Sequence, residues 1–130
     1  MDDHILAIYC VCHDFLKALH HREDRQQKMT DAEVMTTALV AMLFVGGNFE
    51  HARALLGTAH YIPTMLSRSR LNRRLYQLQH LFATLFDLLG QTWKELNSAS
   101  VYSIDSFPIA VCDHDRIPHA HIYHQEAYRG

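Results

Sequence analysis

The chain has 130 residues, of which 48% are apolar and 20% charged, and its formal net charge is -2. These values are typical of one globular domain and exclude a polybasic chain that binds nucleic acid through its overall charge. The apolar runs fall short of the ~18 residues that a membrane helix needs, and the N-terminus lacks the features of a signal peptide. The three cysteines form no regular framework, so we expect a soluble, cytoplasmic protein without a membrane partner.

Two helices are predicted in the first third of the chain. Apolar residues recur at three- and four-residue steps over residues 3–20, which is the pattern of an amphipathic helix. After a polar loop, Thr30 and Glu33 have the spacing of a capping box, which predicts the start of a second helix. Gly46-Gly47 predicts its end, because glycine readily takes the left-handed conformation.

A short third helix is predicted over residues 49–56, with Asn48 as its cap and Gly57 at its end. Two helices joined by a Gly-Gly-Asn turn have the outline of a helix-turn-helix unit. Any two short packed helices would share this outline. DNA reading by this unit is therefore one interpretation, and simple packing is the other.

The longest helix is predicted over residues 68–96, where apolar residues keep the 3.6-residue period. No Asp or Glu occurs from His51 to Phe86, and arginines crowd the positive end of this helix, where cations are disfavoured. A phosphate group would relieve that conflict, because arginine binds phosphate bidentately. A solvated face with local pairing is the alternative. The candidate DNA-binding residues are Arg53, Arg68, Arg70, Arg73 and Arg74.

Asp105 lies inside an apolar, β-branched run at residues 101–113 that predicts a strand. A carboxylate beside a core is costly unless it has a cation or a task, so Asp105 is a candidate functional residue. The alternative is a tight turn, because Asp105-Ser106 precedes Phe107-Pro108.

Residues 114–130 show little apolar periodicity and no capped element. The predicted strand therefore lacks a partner that would satisfy its backbone groups. We expect that the chain is incomplete or that it borrows a strand from another molecule.

Three pieces of the C-terminal part are distinctive: Val101-Tyr-Ser-Ile-Asp105-Ser-Phe-Pro-Ile-Ala-Val-Cys-Asp113, Arg116-Ile117 and Glu126-Ala-Tyr-Arg-Gly130. Together with Thr-Asp-Ala-Glu-Val and the arginine-rich helix, they resemble the insertion-sequence 982 family of bacterial DDE transposases. The resemblance covers nearly the whole chain. The family's motif usually continues Cys-Asp-Asn-Ile-Arg-Ile, whereas this chain has His114-Asp115 before Arg116.

The resemblance implies a mainly α-helical N-terminal region, residues 1–99, and the first strand of an incomplete ribonuclease-H-like α/β domain at 100–130. It implies that Asp105 is the first catalytic carboxylate and a metal ligand. In the full-length family this residue bridges two Mg²⁺ (or Mn²⁺) ions that promote phosphoryl transfer on DNA. The second Asp and the Glu of the triad have no counterpart here, so we expect weak or no metal binding.

The preferred interpretation is a truncated transposase fragment that is inactive alone. The full-length form would cleave DNA and transfer the strands of an insertion sequence. The expected partners are DNA and either a second copy of the chain, giving a homo-oligomer, or the full-length transposase. Two alternatives stay open: a non-catalytic DNA-binding module that occupies element ends, and an inert remnant without a stable fold.

Overall fold

The computed structural model describes residues 1–99 and 101–103. The chain divides into two units, Met1–Asn97 and Ser98–Gly130. In the second unit the described residues, 98–99 and 101–103, have no regular secondary structure. The rest of the predicted strand, Asp105 and the ribonuclease-H-like domain lie outside the described residues.

The first unit confirms the predicted mainly α-helical character of this part of the chain. Its described residues form five helices. They are α1 Asp2–Ala18, α2 Asp31–Phe44, α3 Phe49–Thr58, α4 Arg68–Gln77 and α5 Gln79–Leu96.

The core is built around α2, which packs against α1, α3 and α4. Nine of the 14 residues of α2 are buried, on all sides of the helix. A helix that is apolar all round belongs in the middle of a bundle. Its two buried hydroxyls are satisfied within the helix, since Thr36 donates to the Ala32 carbonyl at 2.7 Å and Thr37 to the Glu33 carbonyl at 2.8 Å.

Both ends of α2 lie where the sequence predicts them. The Thr30 hydroxyl accepts from the Glu33 amide at 3.2 Å, and the Thr30 amide donates to the Glu33 carboxylate at 2.7 Å, so the predicted capping box is present. At the other end Gly46 and Gly47 have φ values of 60° and 82°. The Gly47 amide donates to the Ala41 carbonyl at 2.8 Å, which closes the helix.

α3 is longer than its sequence predicts, because Gly57 lies inside the helix and does not end it. A Cβ atom added at Gly57 would lie 3.4 Å from Cβ of Met65. This distance is an ordinary van der Waals contact, so the following loop packs against α3 at Gly57 without requiring glycine there.

The single helix predicted over residues 68–96 is two helices, α4 and α5, which meet at Leu78. Leu78 has φ -92° and ψ 4° and is 5% exposed. The change of direction brings Leu71 of α4 and Leu81 of α5 into the same core. The burial of these leucines in the core thus outweighs the tendency of the regular apolar spacing to form one continuous helix.

Among the described residues, no single helix is both long and apolar enough to span a membrane. α2 and α3 reach that length and composition only together, across a bend of 116°.

The positive φ of Gly47 in the turn after α2 can be tested by substitution. We predict that Gly47→Ala lowers the free energy of unfolding by about 1 kcal/mol, because a Cβ atom is disfavoured at positive φ. Urea unfolding measures the change in dilute protein. Gly90→Ala is the matched control, because Gly90 lies inside α5 with nothing within 4 Å of an added Cβ. This control is expected to stabilise the protein by about 0.5–1 kcal/mol, and equal effects of the two changes would contradict the assigned turn.

Candidate nucleic-acid interface

α4 carries four of the five arginines predicted to contact DNA. Its apolar side is fixed by Leu71, which is 1% exposed, and by the partly buried Leu75. Because residues three apart on a helix share a face, Arg70 and Arg73 are neighbours on the side away from this core contact. The remaining two arginines, Arg68 and Arg74, lie closer to the edges of the buried side.

Arg74 is held inside the protein by Asp31. The Arg74 guanidinium donates to Oδ1 of Asp31, whose side chain is 7% exposed, and the Arg74 side chain is 17% exposed. His21 lies on the other carboxylate oxygen, with Nε2 2.6 Å from Oδ2. The Asp31 amide donates to the Glu23 carboxylate at 2.9 Å. Phosphate contact by Arg74 stays a prediction, but its guanidinium already has a carboxylate partner.

The four residues of this Asp31 cluster were not predicted to interact. The position of Asp31 in the first turn of a helix indicates only a favourable interaction with the helix dipole. His21 and Glu23 lie in a polar stretch with the composition of a loop, and Arg74 is 43 residues from Asp31. No local pattern in the sequence signals a pair of this separation.

Arg53, the predicted DNA contact on α3, is also paired. Its guanidinium donates to both carboxylate oxygens of Glu50, at 3.0 Å and 3.1 Å from Nε. The hydrogen bond from Arg53 lowers the pKa of Glu50, and the nearby positive charge of Arg68 adds to that effect. The same hydrogen bond raises the pKa of Arg53. Glu50 and Arg68 also line one depression of about 270 Å³ at the start of α3.

Arg70 and Arg73 differ from Arg53 and Arg74, which are paired with carboxylates, and from Arg68, which is exposed without an ion pair among the described residues but whose charge acts on Glu50. Both are exposed, and within the part of the chain that the structure describes neither has a hydrogen bond or ion pair. The first turn of α4 contains no acidic residue, and the Ser67 side chain makes no capping hydrogen bond. The outward side of α4 therefore presents two cations without an acidic partner among the described residues, of which Arg70 lies in the first turn, at the positive end of the helix. We call Arg70 and Arg73 the α4 arginine pair.

The helix-turn-helix outline has the geometry expected for such a unit. Between α2 and α3 the chain changes direction by 116° over residues 45–48, within the range of about 90–120° that is usual for this motif. The exposed side of α3, however, begins with Glu50, and its one arginine is paired with that carboxylate. The charge of α3 favours packing over DNA reading by this helix.

The metal site implied for Asp105 lies outside the described residues. Among the residues that are described, no group of three or more His, Cys, Asp or Glu side chains is placed to hold a metal ion. A cavity of about 450 Å³ between α1, α2 and the loop after α3 is mainly apolar and contains none of the predicted site residues.

A comparison of the chain with models of known protein families, with curated proteins and with solved structures found no match.

The buried Asp31 pair leads to a stability prediction. We predict that Asp31→Ala lowers the free energy of unfolding by about 3 kcal/mol, because it leaves a partly buried guanidinium without its carboxylate. Urea unfolding measures the loss. Glu50→Ala is the control, because it removes an exposed carboxylate from a surface pair and is expected to have little effect. Equal losses for the two variants would show that the Asp31 pair has no special role.

Proposed function

We propose that this chain is the N-terminal part of a transposase resembling the insertion-sequence 982 family, and that its helical unit holds DNA through the α4 arginine pair. The observation that carries the proposal is that Arg70 and Arg73 are exposed on one face of α4 and have no acidic partner among the described residues. The resemblance to a transposase family indicates that the anion bound by these two arginines is the phosphate of DNA.

The electrostatic cost of placing these arginines on α4 supports the proposal. Arg70 lies in the first turn of α4, where the helix dipole disfavours a cation. Arg73 lies about one turn further along the same face, also without an acidic partner among the described residues. A phosphate group interacts favourably with both the guanidinium groups and the free backbone amides of the first turn. Contact with DNA would also release condensed counterions, which favours binding at low salt.

The catalytic part of the proposal depends on Asp105 alone. By resemblance, Asp105 would be one of the carboxylates that hold divalent ions in the full-length enzyme, and these ions would supply the electrostatic stabilisation that phosphoryl transfer on DNA needs. Because the other two carboxylates have no counterpart in residues 1–130, we propose that this chain binds DNA without cleaving it. A DNA-binding module that occupies element ends would have the same property.

DNA binding is tested by removing the α4 arginine pair. We predict that Arg70→Ala/Arg73→Ala reduces the steepness of log affinity against log salt by about 1.8, since each phosphate contact contributes about 0.9. Fluorescence anisotropy with a labelled duplex over a salt series measures the slope.

The matched control for this test is Lys17→Ala/Arg53→Ala. It removes the same number of positive charges, one from the exposed end of α1 and one from the pair with Glu50. We expect its salt slope to stay close to that of the unchanged chain. If both double variants lose affinity equally, binding depends on overall charge and the α4 arginine pair is not the site.

A second test addresses catalysis. We predict that the chain with Mg²⁺ does not nick supercoiled DNA, and that Asp105→Ala leaves its DNA affinity unchanged. Agarose gel electrophoresis and anisotropy measure the two properties. Magnesium-dependent nicking that disappears in Asp105→Ala would contradict the proposed inactivity and show that the chain assembles a working metal site.

A further inference from the structure

The second half of α5 has an apolar surface that the first unit does not bury. Every residue from 86 to 96 is exposed. Five of them are large and apolar. Leu88, which is 50% exposed, lies in a depression beside α1. The other four are Phe86, which is 57% exposed, Leu89 at 37%, Trp93 at 71% and Leu96 at 73%. Isolated apolar residues are common on protein surfaces, but four along one helix form a contiguous patch of the kind that marks an interaction site.

The spacing of these four residues is that of a helix–helix seam. They follow one another at steps of three, four and three, and the partly buried Phe82 continues the pattern one step earlier. This alternation keeps the side chains on one stripe that can pack against a second helix. The stripe differs from the face of α5 that enters the core through Leu81 and Leu85.

We infer that the stripe is the contact between two copies of this chain, with their α5 helices packed antiparallel. In this arrangement Phe86 lies opposite the partner's Leu96, and Leu89 lies opposite the partner's Trp93. Each pair occurs twice by symmetry, so all four large side chains leave water together. Such matching of one patch with itself is what a two-fold interface requires.

The flank of the stripe fits a second copy in size and charge. Ala83 and Gly90 beside it are small, and an atom added at Gly90 would meet nothing within 4 Å. A second helix can therefore approach closely. On the same side, Asp87 lies nearly level with the partner's Lys94 when the helices are antiparallel, which places opposite charges together twice.

The size of the patch also favours a second copy. Burying the four side chains from both copies would remove on the order of 1,000 Å² of surface from water, the lower limit of a specific interface. The inference does not depend on DNA binding, because α5 carries none of the predicted phosphate contacts.

Trp93 is the only tryptophan in the chain, so its fluorescence reports directly on the proposed interface. For the full 130-residue chain we expect the emission maximum to move to shorter wavelength with rising protein concentration. Over the same concentrations, sedimentation equilibrium should show the mass doubling.

Two variants test the surface itself. Trp93→Lys should weaken dimerisation by about thirtyfold, the effect of losing a central aromatic anchor. Tyr76→Lys is the matched control, because Tyr76 is 74% exposed on α4, away from the stripe, and should leave the mass unchanged. Circular dichroism checks that both variants keep their helices.

A charge exchange tests the antiparallel order. Asp87→Lys places two lysines together in each copy of the contact and should weaken dimerisation. Asp87→Lys/Lys94→Asp should restore it.

Three results would overturn the inference. The mass could stay that of one chain while Trp93 emission remains that of an exposed ring. Alternatively, the emission could be short-wavelength at every dilution of a monomer, which would mean that another part of the same chain covers the stripe. A dimer that Trp93→Lys leaves intact would place the contact elsewhere.

Discussion

The ion pair between Asp31 and Arg74 links the parts of the helical unit that are far apart in sequence. Asp31 begins the central helix α2, and its carboxylate is almost completely removed from water. A buried carboxylate is costly unless it is paired and hydrogen-bonded, and here it has both Arg74 and His21 as partners. The packing of the start of α2 therefore depends on α4 and on the loop that contains His21.

The ion pair between Asp31 and Arg74 also affects which arginines of α4 face outward. The contact of Arg74 with Asp31 and the burial of Leu71 determine which side of α4 faces the core. Arg70 and Arg73 then lie on the side away from the core. Of the five arginines that the sequence brings to attention, two are bound to carboxylates and one lies beside Glu50. The proposal of DNA binding therefore rests on two arginines, Arg70 and Arg73, and not on all five.

Local signals in the sequence predicted the local features of the fold. Thr30 and Glu33 start α2 as expected, and Gly46 and Gly47 end it, because capping and positive φ depend on neighbouring residues only. The break at Leu78 was not predictable from period alone, since a leucine at that position suits either a straight helix or a buried turn. The Asp31 pair was not predictable either, because it joins residues 43 apart.

The central claim is that DNA phosphate binds at Arg70 and Arg73, while Arg53 and Arg74 keep their carboxylate partners. The most direct measurement follows the side-chain Nε–H signals of these four arginines by NMR while duplex DNA is added to the labelled chain at low salt. The account predicts that the Arg70 and Arg73 signals shift with saturation, and that the Arg53 and Arg74 signals stay at their ion-paired positions. Shifts of equal size at all four arginines, or no shift at Arg70 and Arg73, would contradict it.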